Sequence, residues 1–264
     1  MKRKRFIVLL LTSALMVSML TVNASAASKS KMKTVYVPTS ISTESNTGGH
    51  TASYTYQIKY NKKGMPYKII LPQGSDVFYK YNKNGFVKGT YNTYNNGGRS
   101  DITYFKVNRR GLITKIYDTN STFKYGKKGR PLSYKSTDVH IKYDRYGNMK
   151  SYISKYGSEL IEKSVYSLKL DKKGNIVKEI KKSTFRDLSR TTTTNVKYTY
   201  DKHGNIKEKN VSSKKNNGFT STFNITYKYK KVRVNKKSVT FLKYVKWKAT
   251  HSLTGDLIGL EYAE

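Results

Sequence analysis

A short pattern of apolar and polar residues recurs along this chain of 264 residues. Two apolar residues flank one polar residue, an Asn or Asp follows, a Gly lies three residues further on, and an apolar residue returns two after the Gly. Such regularity predicts a protein built from one structural unit. The seven copies with the Gly cover residues 58–69, 79–90, 105–116, 123–134, 141–152, 168–179 and 198–209, with Gly126 in place of the Asn or Asp in the fourth, and a degenerate eighth copy without the Gly covers 227–234.

Each position of the repeat has a role in a β-hairpin. Residues two apart on a strand face the same side of a sheet, so the two apolar residues are predicted to be buried together. The Asn or Asp side chain can bond the turn backbone, and Gly can adopt the positive φ of a short loop with a bulge. The predicted turn residues are Asn61, Asn82, Asn108, Asp144, Asp171 and Asp201, with Gly64, Gly85, Gly111, Gly129, Gly147, Gly174 and Gly204.

Because a single hairpin is only marginally stable in water, the units must pair side by side. We therefore expect an all-β fold in which repeated antiparallel hairpins form a curved meander sheet, a half-barrel or a solenoid. The repeat domain is assigned to residues 51–264, and the polar residues 27–50 are expected to be a flexible lead-in. Apolar residues alternate on both sides of 239–250, which predicts a strand that closes the array.

The first 26 residues have the layout of a secretory signal. Residues 2–5 are basic, residues 6–20 are mostly apolar, and Ala24, Ser25 and Ala26 supply the small residues expected before a cleavage site at Ala26. An uncleaved membrane anchor is the alternative, although a stable span needs about 20 apolar residues. We expect a secreted, extracellular protein that is associated with the cell surface and has no transmembrane segment after signal removal.

The chain is strongly basic and contains no cysteine. Its formal net charge is +36, and arginine supplies only ten of its 52 basic residues. Lysine is a hydrated point charge that suits diffuse attraction to polyanions, whereas arginine suits bidentate recognition of phosphate or carboxylate. The alternative is that the lysines keep a β-rich surface soluble and protect its strand edges. Without cysteine there are no disulfides and no thiolate metal site.

Residues 198–206, Y-T-Y-D-K-H-G-N-I, resemble the YD repeat of the RHS family, and the copies at 141–152 and 168–179 match it in part. The resemblance implies β-hairpin sheets that form shells or act at the cell surface, often as toxin carriers or glycan-binding modules. This chain has fewer repeats than such a shell, so only the hairpin architecture and the secreted setting are expected to transfer. A short, lysine-rich, secreted form is similar to proteins of Gram-positive bacteria.

No catalytic, metal-binding or cofactor-binding residues are predicted, and we expect a protein that is not an enzyme. The four histidines are scattered and lack the spacing of a metal site. A glycosidase needs two carboxylates, but Glu159 and Glu162 would face opposite sides of a strand. The Asp residues of the turns are replaced by Asn in other copies, which indicates a structural role.

Tyrosine supplies the remaining ligand candidates. The tyrosines at the apolar repeat positions are expected to be buried, whereas Tyr91, Tyr94, Tyr152 and Tyr156 lie in the variable segments and could stack on sugars. The predicted function is association with anionic cell-wall polymers or glycans of the bacterial envelope through the basic surface. A carbohydrate-binding module that uses tyrosine platforms and a secreted cationic effector are the alternatives. No nucleic-acid partner is expected, and the oligomeric state is left open.

Overall fold

The computed structural model describes residues 32–72, 74–126, 129–186 and 188–251. The predicted signal sequence, with its cleavage site at Ala26, lies outside the described residues. The strands are β1 (Met32–Thr47), β2 (His50–Tyr60), β3 (Pro66–Ile70), β4 (Asp76–Tyr81), β5 (Val87–Thr93), β6 (Thr103–Val107), β7 (Ile113–Ile116), β8 (Ser121–Tyr125), β9 (Pro131–Lys135), β10 (Val139–Tyr143), β11 (Met149–Tyr156), β12 (Glu159–Leu170), β13 (Ile176–Phe185), β14 (Leu188–Tyr200), β15 (Ile206–Lys215) and β16 (Thr220–Asn235). A 3₁₀ turn (Lys236–Ser238) and the helix α1 (Val239–His251) follow.

The strands form one antiparallel sheet that closes into a barrel. Each strand pairs with the next along the chain, and β1 pairs with β16 from Met32 opposite Asn235 to Thr47 opposite Ser221. The predicted all-β class and its antiparallel hairpins are confirmed. The barrel is closed, so the expected open meander, half-barrel and solenoid are wrong. Closure is favourable because the backbone N–H and C=O groups at the two outer edges, those of β1 and β16, hydrogen-bond to each other.

The strand that makes this closure possible lies in the predicted lead-in. Residues 27–50 were expected to be a flexible lead-in, but β1 covers Met32–Thr47, which is 16 residues. Val35, Val37 and Ile41 of β1 are buried against the core. The register of the pairing with β16 shifts by one residue between Pro38 and Ser40, where β1 has a bulge. Because Pro cannot donate to a β ladder, it is tolerated at such a bulge.

The meander separates two kinds of turn. All seven repeat turns lie at one end of the barrel, which we call the repeat end, and the variable segments form the turns of the other end, the spacer end. Strand length varies round the barrel: β3–β11 form a low wall of strands with 4 to 8 residues. The strands β12–β16, β1 and β2 form a tall wall of strands with 10 to 16 residues.

Tyrosines connect neighbouring hairpins on the inner side of the wall. The Tyr198 hydroxyl donates to the Ile176 carbonyl oxygen at 2.8 Å, and the Tyr229 hydroxyl donates to the Ile206 carbonyl oxygen at 2.9 Å. Each acceptor lies two residues after the Gly of the preceding repeat. Burial raises the pKa of both phenols above their ordinary value. These rings therefore fill the core while their polar ends remain satisfied.

The segment predicted as a closing strand is the helix α1, so that prediction is wrong. Phe241, Val245 and Ala249 are buried and lie four residues apart, which is the spacing of one helix face. Asn235 caps the preceding 3₁₀ turn by accepting a hydrogen bond from the Lys237 backbone N–H. The closed barrel offers this segment no unpaired strand edge, because β16 already pairs with β1.

Helix α1 lies across the inner side of the repeat end. Phe241 packs beside Gly111, Thr240 beside Gly129, and Trp247 beside Gly147. The ring of Tyr244 meets that of Tyr125 edge to face at 5.9 Å. These partners belong to three successive hairpins of the low wall. In addition, the buried Lys209 side chain of β15 in the tall wall donates to the Thr250 carbonyl oxygen at 3.1 Å. Only the inner side of a closed barrel lets one helix contact both walls.

Candidate functional site

A belt of lysines surrounds the outside of the barrel near the repeat end. The polar residue between the two apolar residues of the repeat faces outward, because its neighbours on the strand face the core. This residue is lysine in every copy but one, where Thr199 replaces it. The lysine belt consists of Lys59, Lys80, Lys106, Lys124, Lys142, Lys169 and Lys228.

The repeat turn holds each belt lysine of the copies with the Gly at the same height. In the copy around Lys59, the Asn61 side-chain oxygen accepts hydrogen bonds from the backbone N–H groups of Lys63 and Met65 at 2.9 and 3.1 Å. The backbone of Gly64, with a φ of 73°, donates to the Asn61 carbonyl oxygen. A bulge follows Lys59 directly. The turns at Asn82, Asn108, Asp144, Asp171 and Asp201 repeat the side-chain bonds.

Strand geometry sets the spacing of the belt. Belt lysines occupy every second strand from β2 to β12, and neighbouring strands lie about 4.8 Å apart, so their Cα atoms are about 10 Å apart. In three hairpins the facing strand carries a second outward lysine directly opposite the first. These opposed pairs are Lys59 with Lys68, Lys106 with Lys115, and Lys169 with Lys178.

Acidic partners are scarce on this surface. Within the part of the chain that the structure describes, the ion pairs are Lys68 with Asp76 at 2.5 Å and Lys181 with Glu162 at 3.0 Å. No belt lysine takes part in either. Like charges that face each other across two strands are unfavourable, so the opposed pairs destabilise the isolated fold.

One arginine lies beside the belt on a stack of aromatic rings. On the outer face of the low wall, the rings of Phe78 and Tyr91 stack at 5.1 Å. The Arg99 guanidinium lies 3.7 Å from the Tyr91 ring centre, and the belt residue Lys80 lies 5.6 Å from it. Stacking holds the guanidinium plane in place, and a held guanidinium can bind phosphate or carboxylate with two hydrogen bonds.

The structure does not bring the four candidate tyrosines together. Tyr91 lies on the outer face of the low wall, while Tyr152 faces inward and packs against the core. Tyr94 and Tyr156 lie at the spacer end, on turns that six strands separate, with exposed fractions of 45% and 78%. Of the four, Tyr91 has cationic neighbours, since Lys80 and Arg99 both lie over its ring.

A polar cluster on the inner face of the tall wall has no signal in the sequence. The Glu162 carboxylate accepts a hydrogen bond from the Ser164 hydroxyl at 2.7 Å and one from the Lys181 ammonium at 3.0 Å. Burial raises the pKa of Glu162, but these two bonds and the nearby Lys181 charge lower it overall. Burial raises the pKa of Glu179, which lies further along the same face. Strand pairing alone joins these distant residues.

In the described ranges, no group of three or more His, Asp or Glu residues could hold a metal ion. Over the same ranges, no helix is long and apolar enough to cross a membrane.

Comparisons with known proteins do not assign the chain to a family. No family model matches it, and no curated protein matches its sequence. Among solved structures, the crystal structure of TcdB2-TccC3-Cdc42 aligns over 61% of this chain and 9% of that chain, with 14% identity and a TM-score of 0.31. The structure of the Photorhabdus luminescens Tc holotoxin pore aligns over 78% of this chain and 11% of that chain, with 13% identity and a TM-score of 0.31.

A porin-like protein from Bacteroides uniformis aligns over 73% of this chain and 96% of that chain, with 13% identity and a TM-score of 0.39. The chain thus spans about a tenth of the length of the two toxin chains and nearly all of the porin-like protein. Scores of this size carry no argument about function.

Proposed function

We propose that the protein is a non-enzymatic β-barrel that attaches to the bacterial cell envelope by binding anionic surface polymers along its lysine belt. The carrying observation is the belt itself: one outward lysine from nearly every hairpin, none in an ion pair within the described ranges. A +36 chain with this arrangement presents a band of positive potential rather than a mixed surface.

Other features support the same proposal. The signal layout of residues 1–26 favours secretion, and the lysine-rich composition favours a Gram-positive envelope, where anionic polymers are abundant. The motif at 198–206 favours a short relative of YD-repeat proteins, in which the repeat supplies the hairpin scaffold. Arg99, held on Tyr91, adds a site where one phosphate or carboxylate of the polymer can be bound with defined geometry.

The test is binding of the purified protein to isolated Gram-positive cell walls across a salt series. Because exposed charges are screened over about 10 Å at 0.1 M salt, we expect binding to weaken steeply as salt rises. Binding that is absent at low salt, or that does not change with salt, would contradict the proposal.

Two variants that lose the same number of positive charges distinguish binding through the belt from binding through net charge alone. The belt variant carries Lys59→Gln, Lys106→Gln, Lys142→Gln and Lys169→Gln. The control variant carries Lys155→Gln, Lys163→Gln, Lys202→Gln and Lys214→Gln, at four other exposed lysines. We expect the belt variant to lose clearly more affinity and more salt dependence than the control. Equal losses would show that net charge alone is responsible.

A further inference from the structure

A groove of about 740 Å³ crosses the outer face of the tall wall, away from the lysine belt. It runs over five adjacent strands in the order β2, β1, β16, β15 and β14. Two rows of outward side chains line it, with Ser45, Ala52, Val211 and Phe223 of the same strands between them, and in each row every residue lies directly opposite the next. The first row is Ser53, Glu44, Asn224, Asn210 and Lys197, and the second row is Thr51, Asn46, Thr222, Ser212 and Asn195.

The rows face outward because the residues between them face the core. Val196 and Val211 are buried, and they alternate with the groove residues of β14 and β15. Side chains on alternate positions of a strand point to opposite faces of the sheet. The groove is therefore on the outer surface, where a large ligand can reach it.

The groove is neutral on a strongly basic protein. Its two rows contain one acidic residue, Glu44, and one basic residue, Lys197, while the rest carry amides or hydroxyls. A surface that served only solubility or adhesion to polyanions would carry lysine here, as it does in the belt. Charge matching thus excludes a polyanion as the preferred occupant of the groove.

Asparagine is unusually frequent in the groove, and within the described residues only the Asn210 amide has a side-chain hydrogen bond on this face, to the Glu208 carboxylate at 3.0 Å. Asparagine is depleted in β-strands, yet Asn46, Asn195, Asn210 and Asn224 all lie within strands of this wall. The Asn224 side-chain oxygen is buried and has no hydrogen-bond partner. An unsatisfied buried oxygen is unfavourable, so the stability of the fold gives no reason for an amide at this position.

We propose that this groove binds an uncharged oligosaccharide chain that lies across the five strands. A carboxamide both donates and accepts hydrogen bonds, as the hydroxyl groups of a sugar do. Successive strands lie about 4.8 Å apart, so each strand offers a new pair of polar side chains along the length of such a chain. The site is separate from the lysine belt and does not depend on the proposed function.

The test is isothermal titration calorimetry of the full mature protein with two neutral probes, cellohexaose and chitohexaose, at low and high salt. We expect at least one probe to bind, with an affinity that salt does not change, because no charge pair forms. The groove variant carries Asn210→Thr and Asn224→Thr. Since it loses several hydrogen bonds to the ligand, we expect its affinity to fall about tenfold or more.

Stability distinguishes ligand binding from a structural role. Threonine favours strands and removes the unsatisfied Asn224 oxygen, so the groove variant should be at least as stable as the wild-type protein. If the asparagines supported the fold, the variant would be less stable. The belt variant is the matched control and should bind the neutral probe normally. The proposal is wrong if neither probe binds at millimolar concentration, or if the groove variant binds as the wild-type protein does.

Discussion

The repeat turn shows how one side-chain oxygen and one glycine define a hairpin. The oxygen of Asp171 accepts backbone hydrogen bonds from Lys173 and Asn175, both at 2.8 Å. Burial raises the pKa of Asp171, but these bonds, together with those from the Asn175 amide and the Tyr200 hydroxyl, lower it overall. Gly174 completes the turn with a φ of 84°. The bonds within the turn are local, which is why the sequence predicts them, whereas the bond from Tyr200 comes from the next hairpin.

Two turn glycines form a matched pair for mutation. Both Gly174 and Gly204 have a positive φ, so Ala costs about 1–2 kcal/mol at either position. At Gly174 a new Cβ atom would also lie 2.4 Å from the Tyr146 ring, whereas at Gly204 nothing lies within 4 Å. We expect urea unfolding to show a clearly larger loss of stability for Gly174→Ala than for Gly204→Ala. Equal losses would mean that the ring of Tyr146 moves aside freely.

Lys209 is a buried lysine that the sequence pattern does not distinguish from its exposed neighbours. Its side chain has no exposed surface, and its ammonium group donates to the Thr250 carbonyl oxygen near the end of helix α1. Burial lowers the pKa of Lys209 to about 7. Burial, with the nearby charges of Lys209 and Arg130, also lowers the pKa of His251, to about 3.

Folding stability should therefore rise with pH from about 7 toward 10. In this window the unfolded chain keeps the proton of Lys209 and the folded chain releases it, so the unfolded state binds more protons. The contribution is about 1.4 kcal/mol per pH unit. Above pH 10 the tyrosines of the unfolded chain ionise while the buried ones do not, and stability should fall. Urea midpoints over a pH series measure this, and Lys209→Met should remove the rise between pH 7 and 10.

Among the elements, helix α1 departs most from its sequence pattern. Much of this helix consists of residue types that favour strands, namely Val239, Thr240, Phe241, Tyr244 and Trp247. Apolar residues also occur on both alternating sides of the segment, which is the pattern of a two-sided strand. The repeat of Phe241, Val245 and Ala249 every four residues is the helical signal in the same segment. Packing decides between the two patterns, because the closed barrel leaves no strand edge and its repeat end has space for a helix.

Removal of the apolar contacts of α1 should destabilise the barrel as a whole. Leu242 is fully buried, so Leu242→Ala should cost about 2–5 kcal/mol. Lys243→Ala, at the exposed neighbour, is the control and should change little. Trp247 is the single tryptophan and lies on this helix, so its fluorescence reports the transition directly. A Leu242→Ala barrel as stable as the control would show that the helix only rests on the fold.

For the whole molecule, closure concentrates positive charge. Once β1 pairs with β16, the sheet has one inner and one outer surface, and the outward repeat lysines become a ring. Burial of the tyrosines and aliphatic side chains on the inner surface must offset this repulsion. The fold thus combines a stable core with an outer surface under electrostatic strain.

Relief of this strain should stabilise the protein at low salt. The variant Lys59→Gln, Lys106→Gln and Lys169→Gln removes one member of each opposed pair. Each such pair costs about 0.2–1 kcal/mol, so we expect a gain in unfolding free energy at low salt that disappears near 1 M salt. The control variant carries Lys124→Gln, Lys142→Gln and Lys228→Gln, because each of these lysines lies opposite a serine on a neighbouring strand. Equal gains in both variants would show that opposition across strands is unimportant.

Local spacing along the chain is sufficient to predict the hairpin unit, the turns at Asn or Asp and Gly, and the all-β class. The sequence also contains the belt, because lysine recurs at one repeat position, although only the strand order shows that these lysines surround one body. The closure by β1, the helix at 239–251 and the neutral groove are seen only in the folded barrel. These features depend on which distant strands meet. That choice is made by the burial of shared edges and faces, which no local pattern encodes.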